Sequence, residues 1–137
     1  MSAVERPSPW LIHFFEQSSN VVPTLVFLDA LPDKVVAKIQ AILDAVAEAP
    51  PPAFSGGGKW EAMHGAMSGI YEVRVQGAGQ NHRLFCLLER DASDLGGSSI
   101  VCLGGLSKPR REAADPKDYE QIIEYRVEFK SHRKVLS

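Results

Sequence analysis

With 137 residues, 45% of them hydrophobic, the chain has the length of one domain and enough apolar material for one core, so a single domain over 1–137 is expected. A formal net charge of −2 and a pI near 6.1 exclude global attraction to nucleic acid or anionic membrane, leaving such partners only a local basic patch. No stretch approaches the roughly 20 apolar residues of a membrane span, and Glu5, Pro7 and Pro9 do not fit a signal peptide, so a cytoplasmic protein is expected.

In chain order, Trp10 to Phe15 is a short aromatic and aliphatic run that suits a first strand. Pro23 can open a short helix carrying Leu25, Phe27, Leu28 and Leu31, because its missing N–H would be unpaired there anyway. After Pro32, Val35, Ile39, Ile42 and Val46 recur at helical spacing on one face, while Lys34, Lys38 and Asp44 point elsewhere. Pro50-Pro51-Pro52 ends that helix, and Ala49 to Gly58 reads as an exposed connection.

Ile70 to Val75 alternates. Tyr71, Val73 and Val75 share one face, while Glu72 and Arg74 share the other, so Arg74 points away from the main core. Gly77 to Asn81 supplies turn residues, and Arg83 to Leu88 is apolar after its first residue, as in a central strand covered on both sides. Ile100 to Leu103 returns as a third strand before Gly104-Gly105, completing an antiparallel meander. Asp115-Pro116-Lys117-Asp118 then caps a C-terminal helix with a stripe of Ile122, Tyr125 and Phe129. The expected class is α+β, with an N-terminal strand and helices packed on the meander. Cys86 and Cys102 lie in apolar runs and read as core thiols; a disulfide would suit a secreted protein instead.

The element order, together with Ile70-Tyr71-Glu72-Val73-Arg74, His82-Arg83-Leu84-Phe85 and Gly104-Gly105-Leu106-Ser107-Lys108, resembles the HigB-like branch of the RelE/ParE toxin superfamily. Arg74, Arg83 and Lys108 stand at the matching positions, with His82 where tyrosine is usual and Pro109 inside the basic turn. The resemblance implies the toxin of a toxin–antitoxin pair, cleaving ribosome-bound mRNA and held by an antitoxin that often carries a helix-turn-helix domain. Relatives that poison gyrase, or a RelE-type fold that has lost nuclease activity and acts as a protein-binding module, are the alternatives.

Independently of family, cleaving RNA through its own 2′-hydroxyl needs a proton acceptor, a proton donor and cations on the phosphorane, and no metal or other cofactor. Arg74 and Arg83, on neighbouring strands, could grip phosphate if they share a face, or simply pair with Glu72 or Glu89. Lys108 follows the third strand and could close that site. Arg110 and Arg111 read as a solvated turn or as RNA contacts. His64 and His82 flank the meander as the proton-transfer candidates, His64 slightly preferred because His82 and Arg83 would point to opposite faces. Trp60 packs under the connection or stacks on a base. Cys and His spacing argues against zinc, and the glycine clusters lack a P-loop's Lys-Ser/Thr.

Overall fold

The computed structural model describes residues 9–50 and 58–136; Glu5, Pro7 and most of the Pro/Gly connection fall outside them. The elements are β1 (Leu11–Phe15), α1 (Pro23–Asp29), α2 (Asp33–Glu48), β2 (Trp60–Ala62), β3 (Ile70–Gly77), β4 (Gln80–Glu89), β5 (Ser99–Pro109), α3 (Pro116–His132) and β6 (Val135–Leu136). The class is α+β: among the described residues there are three α-helices and a six-stranded sheet in the order β2-β3-β4-β5-β1-β6. No helix among the described residues is long and apolar enough to cross a membrane.

The meander forms as its alternation demands. β3 and β4 pair antiparallel from Ile70↔Leu87 to Gly77↔Gln80, and the two-residue loop between them, Ala78-Gly79, takes positive φ at both positions. That backbone twist matches the twist of the flanking strands. β4 pairs antiparallel with β5, interrupted by a bulge at Phe85/Cys86. Cys86 and Cys102 face each other there, both buried and both free, with sulfurs 3.8 Å apart.

The arrangement departs from the expected packing in three ways. The N-terminal strand joins the sheet instead of lying against it: β1 runs parallel to β5 (Leu11↔Ser99 to Phe14↔Cys102), so the sheet is mixed. Two short strands extend the edges, β2 on β3 and β6 on β1, so α3 is not the last element. β5 also passes straight through Gly104-Gly105 to Pro109, giving it 11 residues. Those glycines are where α1 approaches: a Cβ at Gly105 would lie 2.5 Å from the Phe27 ring and 2.6 Å from the Arg83 carbonyl oxygen.

Both faces are covered. On one, Val35, Ile39, Leu43 and Val46 of α2 pack on Val73, Leu84, Cys86, Ile100 and Cys102. On the other, Ile122 and Phe129 of α3 pack on Phe15, Ile70, Phe85, Leu87 and Leu103. Each such large side chain removed from water contributes about 1.5–3 kcal/mol. α3 starts in a capping box: Asp115 Oδ1 accepts from Lys117 N (2.9 Å) and Asp118 Oδ2 accepts from Asp115 N (2.7 Å). This fixes the first turn of α3 over the polar end of β3 and β4.

Candidate functional site

Strand alternation places Glu72 and Arg74 of β3 on the same face as Arg83 of β4, the face that α3 covers. Arg74 and Arg83 are direct cross-strand partners. Two like charges so placed repel, and Glu72 resolves the conflict. Its Oε1 lies 2.8 Å from Arg74 Nε and its Oε2 lies 3.5 Å from Arg83 Nη1. Although it lies on the polar face of the strand, Glu72 is only 2% exposed. Burial raises its carboxyl above the ordinary range, while Arg83 and Arg74 pull it back and Glu61 adds to the rise.

The first turn of α3 completes the face. Arg83 Nη1 donates to the Tyr119 hydroxyl at 3.1 Å, and the Tyr119 ring meets Phe85 edge to face. One residue earlier, Asp118 Oδ2 lies 3.1 Å from Lys108 Nζ, which also reaches Glu112 Oε1 at 3.5 Å. The hydrogen bond to Asp118 is the main reason the Lys108 ammonium is raised. The Asp118 carboxyl is lowered first by the Asp115 backbone N–H and then by Lys108 and, at longer range, Arg83, against a partial desolvation. Arg74, Glu72, Arg83, Tyr119, Asp118 and Lys108 thus form one connected polar surface. Three cations face three carboxylates on it, Glu112 included.

The contacts found use Nε of Arg74 and Nη1 of Arg83, which leaves several of the five N–H donors on each guanidinium for a ligand. The Arg74 side chain is 44% exposed and that of Arg83 18%, so solvent reaches both. An anion that offers two oxygens, such as a phosphate or carboxylate, fits such a pair.

The other sequence candidates go elsewhere. His82 is buried on the opposite face: Nε2–H donates to the Gly77 carbonyl oxygen at 2.9 Å and Nδ1 accepts from the Ser107 hydroxyl at 2.7 Å. His64 is exposed before the 3-10 turn Gly65–Met67, near the Ile70 end of β3. Four residues of strand, roughly 13 Å, separate that end from Arg74. Trp60 lies in the α2-side core, stacked on Tyr71 at 5.1 Å between ring centroids, and its Nε1 has no hydrogen-bond partner among the described residues. Arg110 and Arg111 are exposed in the turn after β5, and Arg110 Nη2 donates to Gln76 Oε1 at 2.6 Å.

Glu72, Asp118 and Tyr119 are the members that reasoning from the sequence did not place in the site. Glu72 carried a signal, a carboxylate two residues from an arginine on one strand face; Asp118 carried only a helix-capping signal, and Tyr119, which could offer a phenol, read as packed on the stripe of the last helix. Among the described residues no three His, Cys, Asp or Glu side chains gather as a metal site would require.

No family model matches the chain, and no curated protein matches it. Among solved structures, a chain in the crystal structure of the toxin–antitoxin complex RelBE2 from Mycobacterium tuberculosis is similar, with a TM-score of 0.49 and 13% identity, over 73% of this chain and 99% of that one.

Proposed function

We propose that this chain is the toxin of a toxin–antitoxin system, of the HigB-like type, and a metal-independent endoribonuclease acting on ribosome-bound mRNA. The observation that carries this reading is the cross-strand pair Arg74 and Arg83, braced by Glu72 and Tyr119 beside Lys108. These residues include the motif positions on which the resemblance to that family rests. In this reading the two guanidiniums hold the scissile phosphate and the charge that builds on it, the largest demand of the reaction. Tyr119 is the hydroxyl placed to hand a proton to the leaving 5′-oxygen, and Glu72, kept above its ordinary range by burial, takes the proton of the 2′-hydroxyl once phosphate draws the arginines forward. Lys108 closes the far side. A cognate antitoxin, of helix-turn-helix type, would cover the same surface.

A second reading is favoured by one specific feature: all three cations already face carboxylates. A surface so balanced suits a protein-binding module without nuclease activity. Inducible expression separates the two. The nuclease reading expects growth arrest with mRNA cleaved at the ribosome, and Arg83→Ala slowing cleavage about 10²–10³-fold, the usual loss on removing one transition-state donor. Normal growth with intact mRNA refutes it. DNA-damage signalling without mRNA loss would indicate gyrase as target instead.

A further inference from the structure

The long strand β5 keeps half of one edge uncovered. β1 lies beside it only from Leu11↔Ser99 to Phe14↔Cys102, then turns away into α1 through a bend in which Gln17 N donates to the Val21 carbonyl oxygen at 2.8 Å. β5 itself runs on to Pro109, still paired with β4 on its other side. Arg110 N donates to the Gly79 carbonyl oxygen at 3.2 Å, which sets the phase of that ladder. Leu106 and Lys108 direct their N–H and C=O groups to β4, so those of Gly105 and Ser107 point away from it. Among the described residues no strand meets them.

Where a further strand would lie there is a groove of about 640 Å³ between two helices. Val26, Phe27, Ala30 and Leu31 of α1 form one wall, and Gln121, Ile122 and Tyr125 of α3 form the other. The walls converge at Gly104, where a Cβ would stand 3.3 Å from both Pro23 and Tyr125; at the other end Pro109 is exposed. From Gly105 to Pro109 the edge is about 16 Å long, enough for some five residues of added strand. No lysine or arginine lines the groove among the described residues, and its one charged side chain, Asp118, is already paired with Lys108. Val21 and Val26 stand on its rim, 45% and 62% exposed. An anionic ligand finds no cation here. A row of backbone donors and acceptors between apolar walls matches an extended peptide instead. A second copy cannot supply it with its own β5, which is sunk between its own helices.

We propose that this groove binds an extended, uncharged and largely apolar segment of a partner protein, which adds to the sheet as a strand beside β5. Its backbone pairs with Gly105 and Ser107, and its side chains alternate between the Phe27 wall and the wall of Ile122 and Tyr125. Nothing in it depends on the chemistry assigned to Arg74 and Arg83. The probe is a fluorescent octapeptide of alternating valine and threonine, titrated with the full chain. A copy N-methylated at its four central residues keeps every side chain but loses those backbone donors, and should bind at least tenfold more weakly. In the free chain the Gly105 and Ser107 amides should exchange with deuterium fast and those of Leu106 and Lys108 slowly; saturating peptide should slow the first two at least tenfold.

Val26→Glu with Ala30→Glu puts charge on one wall and should weaken binding at least tenfold. Both positions are exposed, so melts of the variant should match the parent. Val127→Glu, at an apolar residue 61% exposed outside the groove, should leave binding unchanged. No saturable binding below about 1 mM peptide overturns the proposal. Equal binding of the N-methylated copy, an equal loss in Val127→Glu, or slow exchange of Gly105 and Ser107 in the free chain also overturns it. So does a dimer of the free chain that the two glutamates abolish, since that would place a second copy in the groove. Growth arrest that depends on Arg83 in a chain that fails these tests removes the groove and leaves the toxin reading standing. Peptide binding that depends on Val26 and Ala30 in a chain that arrests nothing does the reverse.

Discussion

Gly105→Ala tests the seating of α1 on the sheet, and with it the frame that holds Arg83. A methyl group there would stand 2.5 and 2.6 Å from two carbons of the Phe27 ring and 2.6 Å from the Arg83 carbonyl oxygen. Comfortable carbon contacts lie near 3.5–4.0 Å, so roughly 1 Å of movement is needed. The Phe27 ring can turn aside, but the carbonyl cannot, because the backbones of β4 and β5 are paired on both sides of it, at Arg83↔Leu106 and Leu84↔Gly105. Overpacking of this kind costs about 1–3 kcal/mol, and the backbone contact puts this site at about 3. Lost freedom of the unfolded chain returns about 0.4–1 kcal/mol, leaving a net loss of about 2 kcal/mol. For a chain of this length that lowers Tm by roughly 6–10 °C in a calorimetric or circular-dichroism melt. Gly79→Ala is the control: it meets open space and carries only the backbone strain of a positive φ, about 1 kcal/mol. A Gly105→Ala melt within about 2 °C of the parent, a smaller shift than the ~1 kcal/mol of that control gives, would refute the close approach of α1 to β5.

Glu72→Gln should leave stability at neutral pH unchanged or raised in urea melts, because burial of the carboxylate outweighs its pairing with the two guanidiniums and an amide carries no charge to desolvate. The same residue sets a pH slope. Since its folded carboxyl titrates above the ordinary value of 4.5, the folded protein holds the proton to higher pH than the unfolded chain. Its contribution to stability is greatest below the unfolded value and declines as pH rises through the folded one; the glutamine variant should lack that decline. A clear loss of stability in Glu72→Gln at pH 7 would mean that the ion pairs outweigh desolvation. Cys86 and Cys102 should both resist a soluble thiol reagent in the native protein and both react in denaturant, because each is buried and burial pushes the Cys86 thiol well up. Rapid labelling of the folded chain would contradict the register at Cys86↔Cys102.

The parts legible in the sequence are those with a period long enough to count. Val35, Ile39, Ile42 and Val46 marked the buried face of α2, and the alternation from Ile70 to Val75 marked the α2-facing side of β3. The capping residues Asp115 and Asp118 marked the start of α3. β2 and β6 have three and two residues, too few for any period, and exist because a neighbouring strand offers an edge. Gly104-Gly105 read as a strand end because glycine usually breaks strands; here the missing side chains admit Phe27 from a distant helix.

The candidate site divides along the same line. Alternation is local, so the sequence alone put Glu72 and Arg74 on one strand face and His82 and Arg83 on opposite ones; the hairpin register Arg74↔Arg83 decided that the two arginines share a face. Which partners complete that face is a long-range matter. Only the landing of α3 on the sheet buries Glu72, brings Tyr119 to Arg83 across 36 positions and sets Asp118 against Lys108. Only the early end of β1 opens the groove along β5. Periodicity specifies which side of an element a residue occupies; what stands opposite is decided by how distant elements pack, and no local pattern carries that information.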